Sequence, residues 1–293
     1  MKIKLLLFTV LIAACLGMPS CEKDDNPSSQ PMLLVKFKFD KNQIRLNNLG
    51  QPSEVAPGNA AQSPTFNSIS AHYLELAPTR TTQLGHGAVL YHAPETTVGG
   101  DKAIDFNQSK VVAEGEYFLK IPLNQITPGS YSWVRVSLAY QNYDISVRSV
   151  ATDYIGTLAS FVGFNTYITS FDIDNAIFPL NSNKLQGFWA FKLKDVPYQK
   201  TGQAPVGATT VPNPLAATSP IPAGSCVVTG QFLNNLVITG SETKNIEVTL
   251  SLSINKSFEW HEVTADGKYE PGNNENVVDM GLRGLIPTYQ TEN

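Results

Sequence analysis

The chain has 293 residues with 21 Lys and Arg against 25 Asp and Glu, a formal net charge of −4. That balance excludes the clustered positive charge a nucleic-acid interface needs, and it excludes electrostatic attachment to anionic lipid. Hydrophobic residues supply 42% of the chain, enough for its length to enclose an apolar core as one all-β domain or two small ones.

The N-terminus starts Met1-Lys-Ile-Lys, continues with an apolar run from Leu5 to Leu16, and reaches Gly17-Met-Pro-Ser-Cys21. A basic start, a short apolar run and small residues at the end make residues 1–20 a secretory signal peptide, too short and wrongly flanked for a transmembrane helix. A cysteine at the cleavage point resembles the lipobox of bacterial lipoproteins. The resemblance implies that Cys21 becomes the first mature residue and carries lipid on its thiol and amino group. Residues 21–31 are polar and hold two prolines, so they read as a flexible tether that cannot bury enough apolar area to order itself. Within it, Lys23, Asp24 and Asp25 resemble the export signal that sends lipoproteins of Bacteroidota to the outer face of the outer membrane. Losing Lys2 and Lys4 leaves 19 basic residues against 25 acidic ones. Cys15 leaves with the signal and Cys21 takes lipid. Cys226 is then alone, and no intramolecular disulfide can form.

From residue 32 the dominant period is two. Val35, Phe37 and Phe39 alternate with Lys36 and Lys38, and the pattern repeats over Glu116–Ile121, Tyr131–Leu138 and Ile246–Ile254. Such alternation predicts half-buried antiparallel strands. Ser68–Leu76, Gly87–His92, Tyr143–Val150, Phe188–Lys194 and Cys226–Ile238 are further strand candidates, and Thr127-Pro-Gly-Ser130 is a turn signal. Asp153–Thr169 is the place for one short helix, weakened by Gly156, Gly163 and many β-branched residues. The segment 200–224 holds five prolines, which lock φ and remove backbone donors, so it cannot join a sheet interior. It reads as an ordered cover over a sheet face or edge, anchored by Leu215 and Ile221. The expected fold is an all-β, antiparallel β-sandwich with long loops and at most short helices, formed by residues 32–293 as one domain.

Several segments in order resemble the MbnP-like family of secreted β-proteins, associated with copper and methanobactin. They are Leu34–Phe39, Ile69–Leu76, the Pro-Gly-x-Tyr strand in Ile126–Val136, the aromatic strand Gly187–Phe191 and Glu247–Ile254. The resemblance implies a shared β-architecture and copper binding through imidazoles and a modified tryptophan. The chain departs from that pattern where the second tryptophan of the aromatic strand is Phe191, and it has only four histidines.

Two constellations carry ligand chemistry. His86 and His92 are six residues apart, which in a strand points both imidazoles to one face, and His72 supplies a third if its strand lies alongside. Imidazole is the common ligand of copper and zinc. Around Asp266-Gly267, the carboxylates of Asp266, Glu270, Glu275 and Asp279 are candidate calcium ligands, set against a plain Asp-Gly hairpin turn. Tyr140, Tyr143, Tyr154 and Tyr198 lie near loops as candidate sugar-stacking rings, whereas alternation assigns Trp133 and Trp189 to core-facing positions. No G-x-S-x-G, H-E-x-x-H or Gly-rich phosphate loop occurs, and Cys226 has no basic neighbour to activate it. The sequence therefore predicts a non-enzymatic surface lipoprotein of the outer membrane without a cofactor, calcium aside. Its role is that of an accessory or interaction subunit of an outer-membrane protein complex. The alternative is a glycan- or metal-binding surface module.

Overall fold

The structure, a computed structural model, describes residues 30–47, 51–204 and 216–292. Cys21, Lys23, Asp24 and Asp25 lie outside the described residues, as do Pro205, Pro212, Pro214 and Leu215 of the proline-rich segment. The described chain is almost wholly β, its helical content confined to 3-10 turns of three residues.

The alternating segments form two sheets that face one another. One sheet has four strands in the order Arg283–Thr291, Ile246–Ser253, Met32–Asp40 and Tyr117–Pro122. Its central ladder, Met32–Asp40 against Ile246–Ser253, is parallel, while its outer ladders are antiparallel. The second sheet has eight strands. Its spine is the 21-residue strand Gly129–Ser149, which merges the two segments that sequence alternation separates. Val35, Phe37, Phe118, Val134, Val136, Leu138, Val248, Leu250 and Leu252 meet in one apolar core between the sheets. Burying a Val, Leu or Phe side chain of this kind stabilises by about 1.5–3 kcal/mol.

The spine strand then passes through two further clusters. Tyr140 joins Phe161, Phe171, Phe178 and Phe188 against a second four-stranded sheet containing Asn165–Ile173 and Ala176–Leu185. Tyr143, Ile145 and Val147 pack with Leu158, Phe258 and Trp260 against a three-stranded sheet built around Phe258–His261. Tyr140 and Tyr143 are thus buried, not loop-borne rings open to a sugar.

Two local expectations need correction. The segment proposed as a helix is two strands, Thr152–Phe161 and Asn165–Ile173. Gly156 permits this, because the Phe191 ring on the paired strand fills the space that a side chain at 156 would need. Trp133 does not face the main core. Tyr131 and Val134 both do, so an irregularity between them puts Ser132 and Trp133 on the other side. The proline-rich segment begins in the edge strand Gln199–Gln203, which pairs with Phe188–Leu193. Its described end carries a single 3-10 turn, Ala216–Thr218, and buries Ile221.

Candidate metal centre

A β-bulge decides where His72 points. Ala71 and Leu74 both face the main core, so two residues, His72 and Tyr73, stand between consecutive core positions where alternation allows one. The register against the spine strand shifts between Ala71 and Tyr73. On the other flank, Tyr73 pairs with His92 and Leu74 pairs with Tyr91. Tyr91 packs on the main core against Phe118, so His92 turns to the opposite face. The bulge thus puts both imidazoles on one side of the sheet, ring centroids 4.9 Å apart.

Past His92 the chain turns. The Ala93 N–H donates to the His72 carbonyl at 2.7 Å, and Glu95 opens a two-residue strand paired with Ile104. This brings one carboxylate oxygen, Glu95 Oε1, 3.1 Å from His72 Nε2 and 3.4 Å from His92 Nε2. The second oxygen, Oε2, accepts from Lys102 Nζ at 2.6 Å. Donors at about 2.0–2.1 Å from a tetrahedral ion stand about 3.3 Å from one another, so both imidazole–carboxylate separations suit ligands of such a site. Among the described residues, this is the one group of three whose ligand atoms all lie within 4.8 Å of each other.

The electrostatics keep the buried imidazole uncharged. His72 is fully buried, and burial, reinforced by the nearby His92, drives its pKa down to about 4. The ring is therefore neutral at neutral pH, as a metal ligand must be. Its Nδ1 has no hydrogen-bond partner among the described residues, while Nε2 faces an acceptor-only carboxylate oxygen, so without an ion Nε2 carries the proton and donates to Glu95, and an ion must displace that proton. Burial opposes ionisation of Glu95, but Lys102 and the two imidazoles outweigh it and hold the carboxyl below its ordinary value. The Phe164 ring lies 5.3 Å from His72 and shields one side.

Other predicted ligands are placed differently. His86 is exposed in the turn before Ala88–His92 and stands outside the cluster; Glu95 is the third member. Sequence reasoning missed Glu95; the spacing His92-x-x-Glu95 is the signal that could have found it. The four calcium candidates do not converge on a common point. Glu275 is buried and accepts the backbone N–H groups of Val263, Thr264 and Glu270. Glu270 accepts from Asn273 Nδ2, Asp266 pairs with Arg148, and Asp279 accepts the Gly281 N–H. These carboxylates organise a loop, with Glu262 capping Asp266 and Gly267. Desolvation pushes the Cys226 thiol up to about 12, which makes it inert as a nucleophile.

A cavity of about 350 Å³ opens elsewhere, beside Phe188–Leu193, with Trp189, Phe191, Tyr198 and Tyr269 in its walls. Trp189 lies across Gly202 of the paired strand, where a side chain would collide with the indole.

No protein-family model, curated protein or solved structure matches this chain. The site must therefore be read from its own chemistry. Two imidazoles and one carboxylate suit zinc, copper or another late first-row ion. The copper that the MbnP-like resemblance implies fits this donor set. Of the tryptophans, Trp189 and Trp260 belong to the cluster around Phe258, apart from these ligands.

Proposed function

We propose that this protein is a non-enzymatic, lipid-anchored binding protein of the outer-membrane surface that holds a metal ion between His72, His92 and Glu95. The observation that carries the reading is the approach of both Nε2 atoms to a single carboxylate oxygen, with His72 buried and neutral. A buried titratable group with a strongly lowered pKa beside a second imidazole and a carboxylate is a candidate functional placement. The anchor reading is supported by Cys21 behind an apolar run, and the surface reading by Lys23, Asp24 and Asp25.

Titration calorimetry of the protein with zinc tests this. One equivalent should bind, His72→Ala and His92→Ala should each abolish it, and His86→Ala should leave it unchanged. Binding of neither zinc nor Ag(I), or binding that survives both substitutions, would sink the reading.

A role as a subunit of an outer-membrane protein complex is the second reading. Leu233 favours it: a leucine 97% exposed, in the same strand as the half-exposed Val237, is an apolar surface that no described residue covers. Affinity capture from native outer membranes, with Leu233→Asp as the control, tests it. Capture of the same proteins by the variant would remove this support.

A further inference from the structure

Taking an ion to be held at this centre, we infer that Lys102 selects its charge, favouring a soft monovalent d10 ion over a divalent one. The observation is the division of labour on Glu95. Oε1 faces the two imidazoles, and Oε2 is held by the Lys102 ammonium at 2.6 Å. The carboxylate is thereby restricted to one oxygen toward the ion and is already neutralised by a cation.

The Glu95 carboxylate and the Lys102 ammonium cancel one another's charge. A divalent ion bound to Oε1 would draw on the same carboxylate charge that already compensates the Lys102 ammonium. The repulsion scales with the charge of the ion, so it penalises a divalent ion twice as heavily as a monovalent one. Two imidazoles satisfy a soft ion of low coordination number without needing the carboxylate charge, whereas a divalent ion depends on it.

Lys102 is held in place by its backbone. Its carbonyl accepts the Asn165 Nδ2–H at 3.0 Å, and Ala103 and Ile104 directly after it are fully buried. Ile104 is the ladder partner of Glu95, which keeps the lysine on the carboxylate's side. His92, Glu95 and Lys102 are the charged or titratable groups that act on His72.

The experiment is calorimetric titration of the protein with Ag(I) and with Zn(II), in chloride-free buffer, for the parent, Lys102→Met and Lys102→Arg. Lys102→Met should raise zinc affinity by about tenfold or more and silver affinity by about threefold, because the removed repulsion is half as large. Lys102→Arg keeps the charge and should keep the parent's ratio of the two affinities. Equal factors for both ions in Lys102→Met would mean a merely structural role and would overturn the inference, as would no change for either ion, the result if the side chain swings into solvent on loading. Binding of neither ion by the parent would instead overturn the metal reading, and this inference with it. Lys102 has a largely exposed side chain, so both variants should fold, and circular dichroism checks it.

Discussion

His72 Nε2 and Glu95 Oε1 stand 3.1 Å apart, the imidazole fully buried and the carboxylate half-buried. The contact joins a bulge in one strand to a turn 23 residues later, and it binds the loop carrying Glu95 and Lys102 to the sheet. Its strength depends on protonation, because the buried ring resists charging despite the nearby carboxylate.

The first prediction concerns acid. His72 has a folded pKa of about 4 against an ordinary 6.5, so the unfolded chain binds its proton first. Stability from this group is fully present above pH 6.5 and is lost as pH falls toward 4, by up to roughly 3 kcal/mol. Below 4 both states are protonated and the loss stops. Urea denaturation of metal-free protein at pH 7 and pH 4.5 should show a larger drop in the parent than in His72→Phe. Equal drops would show that the imidazole does not titrate in this window.

Arg45 and Glu259 form a second buried pair, with side chains only 6% and 5% exposed. Glu259 also accepts the Asn59 amide at 2.6 Å and the Ala56 N–H at 3.2 Å, fastening the loop after Met32–Asp40 to the three-stranded sheet. Glu259→Gln strands the guanidinium without a counter-charge and should cost about 3–5 kcal/mol, while the double change Arg45→Met, Glu259→Leu should cost clearly less. Thermal denaturation compares them; a double variant as unstable as the single would contradict the charge argument.

Glu275 carries three backbone N–H groups on its two oxygens. Glu275→Ala should destabilise the protein by about 1–3 kcal/mol for each amide left buried and unmet. Because Glu275 is spent on amides, millimolar calcium should leave the melting temperature of the parent unchanged. A rise of several degrees on adding calcium would restore Asp266, Glu270, Glu275 and Asp279 as a cation site.

A side chain at Gly202 would collide with the Trp189 indole. Gly202→Ala should therefore displace the ring, at about 1–3 kcal/mol, and change the near-ultraviolet circular dichroism. Gly58 has nothing within 4 Å of such a position, but its φ of +84° makes Gly58→Ala a test of backbone strain alone, with the aromatic signal preserved. Identical spectra for Gly202→Ala and the parent would mean the indole has room elsewhere.

Alternation was enough to locate the main core. Val35, Phe37, Val136, Leu138, Val248 and Leu250 face one another because period two is a local property of extended backbone, written in the residues themselves. It failed where the backbone departs from strict pleating. The extra residue at His72–Tyr73 and the irregularity at Ser132–Trp133 each reverse the faces of the residues after them, and nothing local in the side chains announces them. Gly156 reads in the sequence as a weak point of a helix, when it is the clearance for Phe191 across a strand pair.

The sequence by itself determined the β class, the excess of acidic over basic residues and the presence of imidazoles within one stretch of chain, since composition and period need no partner to be read. Only the tertiary structure decided that His72 and His92 share a site, that Glu95 replaces His86 as the third member, and that Lys102 holds the carboxylate's other oxygen. Those relations depend on register between strands and on one bulge. Register is fixed by long-range ladders such as Tyr73 with His92, and a shift of one residue would send every one of these side chains to the opposite face.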